Sequence, residues 1–441
     1  MRKNLLHINL YFLLVCFAAL FSVAQSQTST NPAPSKNQTK FYGAYRFSPN
    51  RTISVSEWTD GSTLMLTDYK TGKLRALYLS SGNTYFAGAG IMLRQPVEFK
   101  VTFVENAKGE VTKLRLQPEG EPETIAEKIA FREEQVSFKN KDVTFSGTLI
   151  VPPNKEIYPV VIIVPGAFPT SRNLLRVWAH NFASRGIAAL VYDARGSGSS
   201  TGAVGAGSFD DFASDVLAAI QLLKTRKNIN SAQIGLFGFS NSAWTITLAA
   251  SREQDVAFII SQVLSGIPPW QQEIYRVESQ LRTDGFSDNV IRQAVAFMKL
   301  KFEVARTGEN WETLQSEMNK YQNEKWFPFT NPPRALERLR QTWETQFSYD
   351  PVPAFEQINC PILAIWAGRD RLVPTEMSIP IFEKALKKAG NKDYTFLVFP
   401  TANHSLMQVE TGASGEFMRM DGFAPAYWET MANWVLKIVK K

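Results

Sequence analysis

The sequence predicts an α/β fold in which a mostly parallel, doubly wound sheet carries a helical lid insertion and follows a small antiparallel β domain. After residue 131, continuous apolar runs such as YPVVIIVPGA and QIGLFGFS alternate with amphipathic helical segments. This alternation is typical of parallel strands covered by helices on both faces. Before residue 125, short runs such as TISVSEW and VEFKVTFV are separated by turn sequences. Such spacing indicates an antiparallel sheet or small barrel.

The N-terminal residues have the pattern of a secretory signal peptide. Arg2 and Lys3 precede an apolar stretch, and small residues follow it up to Ala24. We therefore assign residues 1–24 to a cleaved signal, with an uncleaved membrane anchor as the alternative. The apolar core is short for a spanning helix, so we expect no integral membrane segment after cleavage.

The remaining domain boundaries follow from changes in composition and hydrophobic pattern along the sequence. Residues 25–40 are polar and contain two prolines, which indicates a linker. We place the β domain at 41–125, and the segment EPETIAEKIA after it predicts a short connecting helix. The α/β domain then occupies 131–441, interrupted at about 267–351 by a long helical stretch rich in aromatic residues that predicts a lid.

Composition excludes several classes of function. The 441 residues are 44% hydrophobic and 20% charged, which is typical of a globular protein with more than one core. The 48 basic and 41 acidic residues are scattered, so the net charge of +7 does not imply nucleic-acid binding. Of three histidines and two cysteines, His180, His404 and Cys360 lie outside the predicted signal. We therefore expect no intrachain disulfide, no metal site and no cofactor.

Three polar residues follow three of the predicted parallel strands, where open α/β sheets place their functional sites. Ser240 follows QIGLFGF, Asp370 follows PILAIWAG, and His404 follows YTFLVFP by a few residues. A serine hydroxyl needs a base to become a nucleophile, and histidine has a pKa near neutrality. A carboxylate can fix the tautomer of that histidine. We therefore predict a catalytic triad of Ser240, His404 and Asp370.

Several motifs around these residues resemble those of the α/β-hydrolase superfamily, and within it the dienelactone-hydrolase-like and serine-aminopeptidase-like esterases with an N-terminal β domain. The motifs are VVIIVPGAFPTSRN, VYDARGSGSSTG, IGLFGFSNS, AGRDRLVP and TANHSL. The resemblance extends from Val136 to the end of the chain. It implies an α/β-hydrolase fold and an oxyanion hole formed by the backbone N–H groups of Ala167 and Asn241. Phe168 would replace Ala167 if the loop were shifted by one residue.

The chain departs from the family pattern at four positions. Phe239 and Asn241 stand where relatives frequently have His and Glu on either side of the serine. Ser242 stands where the G-x-S-x-G motif has its last glycine, and Pro165 stands where relatives often have histidine. We interpret Ser242 as a small residue that the turn tolerates. As an alternative nucleophile, Ser242 would lack a glycine two residues upstream. Backbone oxyanion donors need no particular side chain, so Pro165 is compatible with catalysis.

Other polar residues receive structural interpretations. His180 falls within a predicted helix, away from any strand end, and is expected to be a structural or a surface residue. Asp193 and Arg195 are expected to brace the glycine-rich loop ARGSGSSTGAVGAG. That loop has no Gly-Lys-Ser/Thr sequence, so we interpret it as a flexible loop and not as a phosphate-binding loop.

The sequence thus predicts an exported serine hydrolase, periplasmic or extracellular, that cleaves a carboxylic ester through an acyl-enzyme. The lid aromatics suggest that part of its small-molecule substrate is apolar, with ordinary core packing as the alternative for about half of them. A peptidase or amidase is the alternative within this fold. A catalytically silent binding protein, with the β domain as its contact module, is the alternative from another class. A β domain that delivers the enzyme to a polymer is a third hypothesis. The acyl and alcohol groups and the oligomeric state stay open.

Overall fold

The computed structural model describes residues 38–58, 63–153, 155–166 and 170–440. The predicted signal peptide and nearly all of the predicted linker lie outside these residues. So do Ala167 and Phe168, the two candidates for one oxyanion donor.

Eight antiparallel strands at the start of the described chain form a closed barrel. Its interior is filled by apolar side chains such as Tyr45, Val55, Val101 and Phe103. The strands are β1 (Gly43–Ser48), β2 (Arg51–Glu57), β3 (Leu64–Asp68), β4 (Leu74–Ser81), β5 (Thr84–Gly88), β6 (Val97–Glu105), β7 (Val111–Pro118) and β8 (Thr124–Lys128).

The prediction of a connecting helix in EPETIAEKIA is wrong, because this segment contains β8. β8 pairs with β7 and also with β1, and so closes the barrel. Its alternation places Ala126 inside, while Ile125 is 53% exposed. Pairing with two neighbouring strands outweighs the weak helix preference of its Glu, Ala and Lys residues.

The second domain is built on an eight-stranded sheet of order β16-β15-β14-β13-β11-β12-β10-β9. The pairs β9–β10 and β10–β12 are antiparallel, and the others are parallel. The strands are β9 (Arg132–Asn140), β10 (Val143–Val151), β11 (Tyr158–Ile163), β12 (Ala188–Tyr192), β13 (Ile229–Phe239), β14 (Phe258–Gln262), β15 (Ile362–Ala367) and β16 (Tyr394–Phe399).

Helices cover both faces of this sheet, so its central strands are buried on both sides. They are α1 (Arg176–Ser184), α2 (Phe209–Lys224), α3 (Asn241–Arg252), α9 (Thr375–Lys388) and α10 (Tyr427–Ile438). Ser208 caps α2, since its hydroxyl accepts a hydrogen bond from Asp211 N. None of the described helices is long and apolar enough to cross a membrane.

The insertion between β14 and β15 is helical and has a hydrophobic core of its own. It consists of α4 (Pro269–Thr283), α5 (Asp288–Thr307), α6 (Trp311–Tyr321), a 3-10 turn (Phe327–Thr330), α7 (Leu336–Thr342), a π-helical turn (Trp343–Phe347) and α8 (Val352–Phe355). Most of its aromatic residues pack into this core, for example Phe297, Trp326 and Phe347. The expectation that the aromatics indicate an apolar substrate therefore loses most of its support, because packing of the insertion already accounts for them.

The barrel and the α/β domain share one hydrophobic core. Met65, Tyr69 and Ile91 of the barrel belong to the same buried cluster as the helices on one face of the sheet. The Tyr69 hydroxyl donates to Val177 O of α1 at 2.5 Å. Separating the two domains would expose apolar surface on both sides. Deletion of the barrel is therefore expected to destabilise the α/β domain, so a deletion variant cannot by itself test delivery of the enzyme to a polymer.

His180 lies in this interface, so of the two roles expected from the sequence, structural or surface, it has the structural one. Its imidazole is fully buried, its Nδ1 lies 2.8 Å from Ser54 Oγ of β2, and its ring stacks on Phe131. Burial lowers the pKa of His180 well below its usual value, so the ring is neutral.

Candidate active site

Ser240 occupies a sharp turn between β13, which ends at Phe239, and α3, which begins at Asn241. Its backbone has φ 54° and ψ −121°, a conformation that residues other than glycine rarely adopt. Two hydrogen bonds hold the turn: Ser240 N donates to Gln262 O of β14 at 2.9 Å, and Ala243 N donates to Ser240 O at 2.9 Å. A strained backbone held in this way is typical of functional sites.

The side chain of Ser242 stabilises the turn from the position where the G-x-S-x-G motif has its last glycine. Its hydroxyl donates to Phe239 O at 3.0 Å and accepts from Phe239 N at 2.9 Å. Gly238 is required opposite it, because a Cβ there would lie 2.5 Å from Ser242 O. Ser242 is fully buried, and its hydroxyl is already engaged at both its donor and its acceptor sites. The geometry therefore favours Ser240 over Ser242 as the available hydroxyl.

Ser240, His404 and Asp370 form one continuous hydrogen-bonded chain. His404 Nε2 lies 2.9 Å from Ser240 Oγ, and His404 Nδ1 lies 2.9 Å from Asp370 Oδ2. The other carboxylate oxygen, Asp370 Oδ1, accepts hydrogen bonds from Leu372 N at 2.8 Å and Val373 N at 2.9 Å. The Asp370 side chain is 1% exposed and that of His404 is 15% exposed. The carboxylate is therefore fixed in orientation, while the imidazole reaches toward solvent.

Of the two predicted oxyanion donors, Asn241 lies within the described residues. Asn241 is the first residue of α3, so its backbone N–H has no acceptor within the helix. The N-terminus of α3 also carries the positive end of the helix dipole. Ala167 and its alternative Phe168 lie outside the described residues, next to the described Gly166.

Sequence reasoning missed a buried polar network behind the turn. Tyr427 of α10 donates from its hydroxyl to Gln262 Oε1 at 2.5 Å, and Trp178 Nε1 donates to that hydroxyl at 2.8 Å. The Trp178 ring stacks on Phe239, the residue before Ser240. Gln262 is a polar residue at the carboxyl end of an apolar strand, and this pattern was an available signal.

The insertion also reaches the triad. Tyr275 of α4 donates from its hydroxyl to the backbone carbonyl of Asp370 at 3.3 Å. Partial burial raises the pKa of Tyr275 above its usual value, so the hydroxyl stays protonated as a donor.

Asp193 and Arg195 make the contacts expected of residues that brace a loop. Asp193 Oδ1 accepts from Arg172 N at 2.7 Å, and its Oδ2 accepts from Ser199 N at 3.0 Å. Arg195 forms a bidentate pair with Asp215, with both N–O distances at 2.6 Å.

Metal or thiolate chemistry finds no support among the described residues. No group of three or more His, Cys, Asp or Glu side chains in these ranges could hold a metal ion. Burial raises the pKa of the Cys360 thiol to about 12, which keeps it protonated at neutral pH.

Comparisons with known proteins match this chain to one protein family and to several individual proteins. A sequence model of the family described as serine aminopeptidase, S33, matches residues 155–411. The chain is 22% identical over 241 residues to an uncharacterized 31.7 kDa protein in the traX-finO intergenic region of Escherichia coli, covering 54% of this chain and 81% of that protein. It is 31% identical over 163 residues to thiohydrolase apmlB of Arthrinium phaeospermum, covering 35% and 50% respectively. It is also similar to a solved structure of DcsB in complex with its substrate analogue, with a TM-score of 0.46, 16% identity, and coverage of 70% of this chain and 100% of that one.

Proposed function

Because the chain belongs to the serine aminopeptidase S33 family of α/β hydrolases, and is therefore a hydrolase, we propose that it cleaves carboxylic esters by a serine mechanism. In this proposal Ser240 is the nucleophile, His404 is the general base and then the general acid, and Asp370 orients His404. The observation that carries it is the hydrogen-bonded chain from Asp370 through His404 to the Oγ of the strained Ser240, with both links at 2.9 Å.

The proposed reaction has two halves. His404 Nε2 takes the proton of Ser240 Oγ as that oxygen attacks the carbonyl carbon of the ester, and Asp370 stabilises the imidazolium that forms. The N–H of Asn241 donates to the oxygen that becomes negative. His404 then protonates the leaving alcohol, which leaves an acyl group on Ser240. Water activated by His404 hydrolyses this acyl-enzyme and restores the serine.

The test compares the wild-type protein with Ser240→Ala and Ser242→Ala on a short-chain nitrophenyl ester. We expect Ser240→Ala to lose turnover by several orders of magnitude, as removal of a triad member does. We expect Ser242→Ala to keep most of its activity. Labelling by a fluorophosphonate should likewise disappear only in Ser240→Ala. Equal turnover and labelling in the wild type and Ser240→Ala would refute the proposal. A wild-type protein that reacts with neither reagent would favour a catalytically silent binding protein.

A peptidase or amidase is the second candidate, and the family description favours it. An ester and an anilide of the same acyl group separate the two candidates. Equal kcat values for the two substrates favour the peptidase or amidase, because deacylation is then the slow step for both. An enzyme adapted to esters instead turns over the ester far faster, because the amine leaving group must be protonated as the bond breaks.

We also propose that the protein is exported, on the basis of the signal-like residues 1–24. Expression of the full chain, fractionation, and sequencing of the mature N-terminus test this proposal. A mature chain that begins at Gln25 would support it, and a protein that keeps Arg2 and Lys3 would contradict it.

A further inference from the structure

We propose that the β barrel helps to position the proposed catalytic base, His404. Its β3–β4 turn holds the loop that carries His404, and Arg75 of β4 acts as a positioning residue for that histidine. This inference rests on the proposed function, because it assigns the barrel a role in the same site. Four observations support it in turn: two ladders of main-chain hydrogen bonds, a close main-chain contact that depends on glycine, and a buried arginine.

The first ladder joins the barrel to residues 421–423, the segment before α10. Phe423 N donates to Gly72 O at 2.8 Å, and Leu74 N donates to Asp421 O at 3.1 Å. Between these bonds, Lys73 and Gly422 pair as an antiparallel bridge. The segment 421–423 thus lies along the β3–β4 turn like a short additional strand.

The second ladder joins the same segment to the His404 loop, residues 402–408. Gln408 N donates to Gly422 O at 2.9 Å, and Ala424 N donates to Leu406 O at 2.7 Å. Within the loop, Asn403 N donates to Met407 O at 2.9 Å. His404 therefore lies in a closed turn whose far side is fastened to a segment that the barrel holds.

The barrel and segment 421–423 approach so closely that the contact depends on glycine. A Cβ on Gly72, which has φ +79°, would lie 2.4 Å from Phe423 O. A Cβ on Gly422, which has φ +149°, would lie 2.1 Å from Gly72 O. A side chain at either position would collide with main-chain atoms, so the contact requires glycine at both positions and is specific.

Arg75 fixes this contact from inside the barrel. Its side chain is 2% exposed, and its Nε donates to Glu98 Oε2 at 2.5 Å. Its Nη1 donates to Asp421 O at 2.5 Å, and its Nη2 donates to the Asp421 carboxylate. A buried guanidinium is unfavourable unless its donors are paired, so the position of Asp421 is coupled to that of Arg75.

Another polar contact between the two domains provides a matched control for the Arg75 and Asp421 variants. Ser54 Oγ of the barrel contacts His180 of α1 and is as deeply buried as Arg75, but α1 carries none of the proposed catalytic residues. Ser54→Ala therefore weakens the same interface without touching the ladders to His404.

The experiment measures kcat and KM on the nitrophenyl ester for Arg75→Met, Asp421→Ala and Ser54→Ala. A base displaced by a fraction of an ångström acts poorly in the transition state but leaves substrate binding nearly intact. We expect Arg75→Met to lower kcat by about 10- to 100-fold, with KM changed by less than about threefold. Asp421→Ala should lower kcat by a smaller factor in the same direction. Ser54→Ala should keep its kcat even if its melting temperature falls.

Hydrogen–deuterium exchange supplies a readout that does not depend on activity. We expect faster exchange in residues 402–409 and 421–424 in Arg75→Met and Asp421→Ala, and unchanged exchange there in Ser54→Ala. If Arg75→Met fails to fold, Asp421→Ala carries the test, because its side chain is 64% exposed and its loss does not open the core.

The outcomes separate this inference from the proposed function. If the wild-type protein shows no turnover and no labelling that depend on Ser240, the proposed function is refuted. Hydrogen–deuterium exchange would still test whether the barrel holds the His404 loop. Unchanged kcat and unchanged exchange in folded Arg75→Met and Asp421→Ala would overturn the inference. An equal loss of kcat in Ser54→Ala would overturn it as well, because the effect would then be general destabilisation.

Discussion

Replacement of Asp370 by asparagine tests the proposed relay by changing one atom. In the wild type, Asp370 Oδ1 accepts from two backbone N–H groups, at 2.8 and 2.9 Å. The carbonyl oxygen of asparagine must take that position, since an amide NH2 there would face two donors. The NH2 group then faces His404 Nδ1 at the 2.9 Å now spanned by Oδ2. His404 must therefore carry its proton on Nε2, where it donates to Ser240 and cannot accept the serine proton.

The size of the effect follows from the same contacts. To restore the productive tautomer, the amide would have to rotate and leave the N–H groups of Leu372 and Val373 without an acceptor. Each buried unsatisfied group costs about 1–3 kcal/mol. The loss of the carboxylate charge also removes stabilisation of the imidazolium. Together these effects predict a barrier higher by about 5 kcal/mol, or a loss in kcat of roughly 10³- to 10⁴-fold. The same substitution in a serine protease triad has an effect of about 10⁴.

The assay is kcat on the nitrophenyl ester together with the rate of fluorophosphonate labelling. Asp350→Asn serves as the control, because it makes the same chemical change at an exposed residue whose carboxylate accepts only from Val352 N among the hydrogen bonds described. We expect wild-type rates in the control. If Asp370→Asn is folded and keeps kcat within about tenfold of wild type, the tautomer argument is wrong, because a group other than Asp370 must then orient His404.

Three further predictions concern stability. Ser242→Ala should lower the free energy of unfolding in urea by about 1–3 kcal/mol, because Phe239 N loses its acceptor, and Ser242→Gly should be no more stable than wild type even though it restores the family motif. Burial lowers the pKa of Lys301, which faces Glu273 and Arg276, to about 8, whereas an unfolded lysine ionises near 10.5. The folded state therefore binds fewer protons between these pH values, so stability should rise with pH from about 8 to 10.5 in wild type relative to Lys301→Met, and parallel pH profiles would contradict this. His180 is buried with a pKa well below its usual value, so wild type should lose stability below about pH 6.5 relative to His180→Gln, as unfolding measured at pH 7 and pH 5 would reveal.

The order of elements could be predicted from the sequence because it depends on local patterns. Buried parallel strands appear as continuous apolar runs, and the residue after each run lies at the carboxyl edge of the sheet. This logic pointed to Ser240, Asp370 and His404, and in the structure His404 lies within hydrogen-bonding distance of both Ser240 and Asp370. It also identified Ser242 as compatible with the turn, although its two hydrogen bonds to Phe239 could not be foreseen.

Contacts between distant segments could not be predicted in this way. Arg75 and Asp421 are 346 residues apart, and neither lies in a sequence motif that indicates which residue it contacts. The strand β8 was mistaken for a helix because its place in the sheet depends on β1, about 80 residues earlier in the chain. The share of the insertion's aromatic residues that packs into its core was underestimated, because a hydrophobic core and a binding surface have the same composition in sequence.

The position of His404 explains why this chain would need additional support at that point. His404 follows β16, which is the edge strand of the described sheet and is only partly buried. A loop after an edge strand has neighbours on one side only, so it is expected to be more mobile than the turn at Ser240, which lies between central strands. The barrel contacts the segment after this loop through Gly72 and Arg75. The insertion contacts an earlier residue between His404 and α10, because Ser414 Oγ donates to Asp284 Oδ2 at 2.9 Å. Both additions to the sheet thus converge on the stretch between His404 and α10, which is where an edge-strand histidine most needs to be held.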